Sequence, residues 1–272
     1  MDVTLVRVRF AEAPGPGEHT IMEFKDPETR LAVASSLELQ ALAAPPAAER
    51  SEELLVLQVP AGTGRDAPGR AQAQAWFEAP AAQDVPPVHA GFAGVSVRWR
   101  PGRAVLEAPA DRMEQMLLAV VDFAFHEHEL HRLEAEIDAD WPVAEADAPL
   151  MSHVGRAELA RAVAVAGQGT QAALRRLRCA RMEGGLFTPP AMLDEAARRL
   201  GEELRDKSDL ETRLEILDGR IEVYEYIYEV AGQRISDYRH FRREYAVEII
   251  IAAILAIEVL LVAYEVYLYF QE

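Results

Sequence analysis

Three histidines crowd the stretch FHEHELH, at His126, His128 and His131, and three converging imidazoles suffice to hold a zinc ion. On a helix of 3.6 residues per turn they do not converge. His128 and His131 lie about 60° apart, but His126 points roughly 140° to 160° away from both. The stretch is not H-E-x-x-H either, because Arg132 stands where the second histidine is required. The expected role is a solvated, charge-rich helix shoulder beside Phe123 and Leu130. Cys179, the single cysteine, makes neither an intramolecular disulfide nor a zinc quartet, which fits a reducing compartment; set among arginines it reads as a packed small side chain. Gly62 and Gly64 share a loop with no G-x-x-x-x-G-K-[ST] and no complete GxGxxG, so a phosphate cradle is not expected. No Ser/His/Asp order, lysine nucleophile or paired acid/base carboxylates can be defended from spacing. The chain therefore reads as non-enzymatic, with no cofactor and no metal. The alternative is an enzyme whose site in the N-terminal region the sequence does not display.

A second group of chemistry-bearing residues lies in EIIIAAILAIEVLLVAYEVYLYF, where Glu248, Glu258 and Glu265 interrupt an otherwise apolar run. Residues 249–270 span roughly 33 Å as a helix at ~1.5 Å per residue, enough for a hydrocarbon core of about 30 Å. Their thirteen Leu, Ile, Val and Phe residues contribute about −6 kcal/mol to insertion in sum, against about +3 kcal/mol for one central charge. Glu258 is outweighed, and Glu265 lies nearer the end, where its side chain can reach the headgroups. Aromatic residues stand at both ends, Phe241 and Tyr245 before the run and Tyr264, Tyr267, Tyr269 and Phe270 at its close. The basic flank Arg239, His240, Arg242 and Arg243 predicts one C-terminal transmembrane helix with the N-terminal part in the cytoplasm, a tail-anchored topology. A very apolar terminal helix buried in a soluble oligomer is the competing reading. Glu258 and Glu265, seven residues and so about 20° apart, share a helix face; they would meet other copies of the chain, or line a channel in a high-order assembly.

The elements that must position these residues follow from periodicity. The runs VTLVRVRF, EELLVLQV, GVSVRW and RAVLEA read as strands, the last two as a hairpin about Pro101-Gly102, with AEAPGPGEHT, LAAPPAAER and AGTGRDAPGR as surface loops. From Asp111 the period becomes helical through Met116, Val120, Phe123, Leu130, Leu133 and Ile137, after an Asp111/Glu114 capping box. That helix is expected to end in DADWPVAEADAP. Two shorter helices broken at Gly167 to Gly169 follow, then one capped by Thr188 with Pro189, then one opened by a Ser208/Glu211 capping box. Leu210, Leu214, Leu217, Ile221, Tyr224, Tyr228, Ala231, Ile235 and Tyr238 alternate in steps of four and three, a coiled-coil stripe for other copies or, with equal weight, the core face of a bundle helix. The fold class is α+β: a β-rich N-terminal domain packed with helices (1–150), a helical region (151–208), a stalk helix (209–245) and a transmembrane segment (246–272).

Half of the 272 residues are apolar, so a sizeable core is possible. A net charge of −17 argues against a protein that grips DNA through its overall field. The basic run Arg175, Arg176, Arg178 and Arg181 could touch headgroups or RNA phosphates, or pair with nearby acids. The N-terminal MDVTLVRVRF has no basic n-region or long apolar h-region and is not read as a secretory signal.

The stretch from Asp209 onward, with Glu211, Arg213, Leu217 and Arg220, then a basic turn, then Glu248 and Glu258, resembles the C-terminal part of the family named for a requirement in meiotic nuclear division. The similarity is firmest over about the last sixty residues; FAFHEHEL and LFTP (Leu186 to Pro189) match other family motifs in outline, without their Gln-Ser, Asp and Trp residues. The resemblance implies an α+β domain, a helical stalk and one terminal span. It further implies a homo-oligomer at an inner membrane that meets a cytoplasmic protein or the ribosome and supports translation. The composition and the N-terminus fit a bacterial copy.

Overall fold

The computed structural model describes residues 3–27, 29–37, 52–61, 68–79 and 86–269, without the side chains of 68–70, 72 and 264–269. Gly62 and Gly64 lie outside the described residues. The protein is α+β, with a seven-stranded sheet followed by long helices. Strands β1 (Thr4–Ala11), β2 (His19–Phe24), β3 (Arg30–Leu37), β4 (Glu53–Pro60), β5 (Val88–Phe92), β6 (Val95–Arg100) and β7 (Arg103–Ala108) run in the order β2-β3-β1-β4-β7-β6-β5. All pairings are antiparallel except β4 with β7. Helix α1 (Pro68–Glu78) lies in the β4–β5 connection. Strands β1, β4, β6 and β7 and the Pro101-Gly102 hairpin are as expected, with Gly102 supplying a φ of 75° in the turn. Strands β2, β3 and β5 and helix α1 were not anticipated.

The chain divides into two compact units, each assembled from segments distant in sequence: 1–138 with 175–220, and 139–174 with 221–272. In the first, alternate strand residues serve two faces. Phe10, Phe24 and Trp99 pack with Phe123 and Phe125 of α2 (Met113–Asp147), where Phe24 and Phe125 stack at 3.8 Å, and Val8, Met22 and Val97 are buried on the same face of the sheet. The opposite face, with Leu5, Leu55, Leu57, Val59 and Val105, packs on Ala73, Trp76 and Phe77 of α1. Helix α2 is buried nearly all round from Met116 to Leu130, so the expected solvated shoulder is corrected: His126, Glu127 and Glu129 are buried and His131 is exposed.

Four helix boundaries also differ from expectation. Helix α2 continues through Pro142 to Asp147 rather than ending before it. The proline forfeits one backbone bond and its ring crowds the carbonyl of Asp138, and the division between the units falls there. Helix α3 (Ala162–Phe187) runs unbroken through Gly167 and Gly169, since glycine lowers helix stability by only about 1 kcal/mol and the turns on either side carry it. Helix α4 (Glu195–Lys207) is capped by Asp194, whose carboxylate accepts from Ala197 N at 2.7 Å, not by Thr188. Ser208 ends α4 instead of opening the next helix, and Asp209 makes the turn with a φ of 51°. Helix α5 (Leu210–Tyr269) then continues without interruption.

Candidate membrane-anchoring site

Helix α5 changes character along its length. In the first unit Leu210, Leu214 and Leu217 are buried, and Arg213 holds the helix to α2 with two carboxylates. It donates to Glu134 at 3.0 and 2.8 Å and to Glu127 at 3.0 and 2.8 Å. Burial works against the Arg213 charge, but the bonds to Glu134 and Glu127 raise its basicity above the ordinary value. Glu127 responds the other way, with burial pushing its carboxyl up despite Arg213. Arg220 adds a bond to Asp138 at 2.5 Å in a more exposed setting.

In the second unit Ile221, Tyr224, Tyr228, Ala231 and Ile235 form a core with Ala144, Leu150, Val165 and Ala172. The two tyrosine rings sit 4.9 Å apart, and their hydroxyls donate to Gln168 at 2.6 Å and to Asp147 at 3.2 Å. Asp147 also pairs with Arg161. The stripe is therefore occupied by the chain's own side chains through Ile235, with Tyr238 half-buried at its end. This corrects the reading of the stripe as the surface that joins copies: the apolar area it would offer them is already removed from water. The bundle-helix reading holds.

Beyond Tyr238 every side chain through Ala263 is exposed. Arg239, Arg242 and Arg243 lead in, His240 pairs with Glu244 at 3.2 Å, and the Phe241 and Tyr245 rings lie parallel at 6.5 Å. The apolar residues that follow, Ile249 to Val262, are 51% to 69% exposed where they are large, and this part of α5 has a mean hydropathy of 2.7 over 18 residues with none of it buried. By length and composition it is able to cross a membrane. Glu248 and Glu258 lie on this exposed helix. Glu265 lies in its helical backbone, with its side chain outside the described residues, as are those of Tyr264, Tyr267 and Tyr269; Phe270 lies wholly outside them.

The other candidates resolve into packing. Arg178 clasps Glu136 with both terminal nitrogens and Arg175 lies 3.6 Å from the same carboxylate, so these two arginines of the α3 run serve α2, while Arg181 donates to the Pro27 carbonyl at 3.5 Å. Burial tends to raise the Glu136 carboxyl, but Arg178 and Arg175 hold it below the usual value. The Cys179 thiol is buried and pushed up to about 11, chiefly by desolvation, which leaves it without thiolate reactivity at neutral pH. His126 Nδ1 lies 2.9 Å from the Asp122 carbonyl, and the described residues contain no group of three or more His, Cys, Asp or Glu set to hold a metal. A cavity of about 370 Å³ in the first unit is lined by Glu202, Arg205, Asp206, Asp209, Glu211 and Thr212 among others. The buried trio Asp122, His126 and Arg205 was not legible in the sequence, because its members lie up to 83 positions apart.

No protein-family model matches the chain, and no curated protein matches it.

Proposed function

We propose that the chain is a non-catalytic membrane protein, anchored by the exposed part of α5 and presenting its sheet-containing unit to a partner on the cytoplasmic side. The observation that carries this reading is the abrupt change at Tyr238: before it one face of α5 is buried in the chain's own core, and after it some twenty-five residues in succession are exposed on every face, most of them apolar. Exposure on this scale is disfavoured in water by ~25 cal/mol per Å² of apolar surface and vanishes as a cost in hydrocarbon. The basic residues Arg239, Arg242 and Arg243 at the entry favour the cytoplasmic side for everything before them. Self-association through the helix face that carries Glu258 and Glu265 belongs to the same proposal, and so does the kinship with the meiotic nuclear division family, with a ribosome or another protein as partner.

Fractionation tests it. The full-length chain is expected in the pellet after alkaline carbonate extraction and in the supernatant only with detergent. A chain that stays in solution without detergent overturns the anchor. Protease added outside sealed inverted inner-membrane vesicles is expected to remove the sheet-containing unit; protection of that unit reverses the orientation.

A further inference from the structure

The face of the sheet covered by α1 gathers arginines that form no ion pair among the described residues. The strand register sets Arg7 opposite Leu55, Leu55 beside Arg103, and Arg103 opposite Arg100. These three arginines therefore share one row across β1, β4, β7 and β6, and Arg98 lies two residues along β6 on the same face. Neighbouring strands are about 4.8 Å apart, so the row runs about 14 Å. Two consecutive rings of α1 sit among them. The guanidinium of Arg103 lies 5.6 Å from the Trp76 ring centre, and those of Arg98 and Arg100 each lie 5.3 Å from that of Phe77.

Elsewhere in this unit arginines meet carboxylates: Arg9 has Glu18, Arg178 has Glu136, Arg213 has Glu127 and Glu134. Among the described residues Arg7, Arg98, Arg100 and Arg103 have no ion pair, in a chain of net charge −17. Glu53 and Glu107, the acids of the same face on β4 and β7, stand opposite Arg9 and Ser96. Arg103 is buried and donates from one terminal nitrogen to the carbonyl of Trp76 in α1 at 3.2 Å and to that of Ala79, just after the helix, at 3.5 Å. Its charge directly opposite Arg100 is a like-charge cross-strand pair, a destabilising arrangement that an anion would relieve. The Nε atoms of Arg7 and Arg100 are enclosed without an acceptor. Yet Arg7, Arg98 and Arg100 are only half-buried, so a solute can reach them. Forked donors held beside aromatic rings suit phosphate oxygens, which guanidinium groups engage through two bonds at once.

We propose that this face binds a small soluble ligand carrying two or more linked phosphates, with Arg98 and Arg100 gripping phosphate oxygens, Arg7 reaching the far end of the row and Arg103 adding its charge. The length of the row favours linked phosphates over one. The inference is independent of the membrane reading.

Calorimetric titration of the full-length chain in uncharged detergent tests it with inorganic pyrophosphate and with orthophosphate. Saturable pyrophosphate binding is expected, at least tenfold tighter than orthophosphate and weakening as salt rises. Replacing both Arg98→Gln and Arg100→Gln should weaken it at least tenfold, the corresponding lysine pair should fall between, and Arg9→Gln should leave it within twofold. No saturable heat from folded protein, or unchanged binding by the glutamine pair, overturns the proposal. So does capture of RNA or anionic vesicles that pyrophosphate fails to displace, which would assign the patch to a macromolecule. A glutamine pair that melts lower, in a protein whose melting temperature pyrophosphate does not raise, would reduce the arginines to a cover for Phe77.

Discussion

Asp122 is enclosed on α2 with Arg205 3.6 Å from one carboxylate oxygen and no hydrogen bond to the other. Burial raises its pKa, against the pull of His126 and Arg205. A carboxyl whose folded pKa lies above its unfolded one contributes stability that is complete below the unfolded value and is lost as pH rises through the folded value. Asp122→Asn removes this dependence while keeping an oxygen for Arg205. The variant is therefore expected to gain on the native chain as pH rises from 4 to 7, read as a growing difference in melting temperature between the two. A difference that shrinks over that range refutes the assignment. Arg213 presents the opposite case, because its two carboxylates need it. Arg213→Met leaves Glu127 buried without a counter-charge, which should cost about 3–5 kcal/mol. At about 2–4 °C per kcal/mol for a chain of this size, the melting temperature should fall by roughly 10 °C. Adding Glu127→Gln to that variant should restore part of the loss.

At the level of elements, α3 offers two adjacent glycines with opposite demands. A methyl group at Gly184 would meet nothing within 4 Å, whereas one at Gly185 would approach His126 Nε2 to 2.9 Å. The His126 ring is buried and set by Nδ1 at the Asp122 carbonyl, so it has little room to retreat. Gly184→Ala should stabilise the protein by about 0.5–1 kcal/mol through helix propensity alone. Gly185→Ala should destabilise it; thermal melts of the two variants that move together would place α3 in a different register on α2. The same helix marks what the sequence disclosed. Strand β6 and the long stripe of α5 were legible because period and burial coincide, and β1, β4 and β7 because they are short runs rich in apolar and β-branched residues bounded by turn residues. Strands β2 and β3 escaped because HTIMEF and RLAVASSL mix polar and small residues whose burial depends on neighbours the strands acquire only in the sheet. Pro142 and the Gly167 to Gly169 pair read as breaks because local propensity was weighed alone, and packing of the flanking turns overrode it. The apolar half of α5 was visible from composition. The arginine row was not, since Arg7 joins the row of Arg103 and Arg100 only through the pairing of β1 with β4 and of β4 with β7.

At the scale of the whole molecule, the exposed half of α5 needs a cover, and the proposed reading divides that cover between lipid and other copies of the chain. Glu258 distinguishes the two contributions. A carboxylate near the middle of a span costs about 3 kcal/mol against lipid, so a helix facing lipid all round gains from losing it. A carboxyl meeting its counterpart on another copy instead supplies an interhelical hydrogen bond of about 1 kcal/mol, and Glu265 one heptad on would repeat the contact. Glu258→Leu therefore makes two separable demands. Membrane pelleting should persist or strengthen, because the apolar segment becomes longer without interruption. The oligomer measured in mild detergent by light scattering should shift to smaller species, because leucine packs against lipid as well as against protein. An oligomer of unchanged size in Glu258→Leu removes the carboxyl-lined interface while leaving the anchor standing. Loss of the protein from the membrane fraction would do the reverse, since a helix that leaves lipid on becoming more apolar was held there by something other than its hydrophobicity.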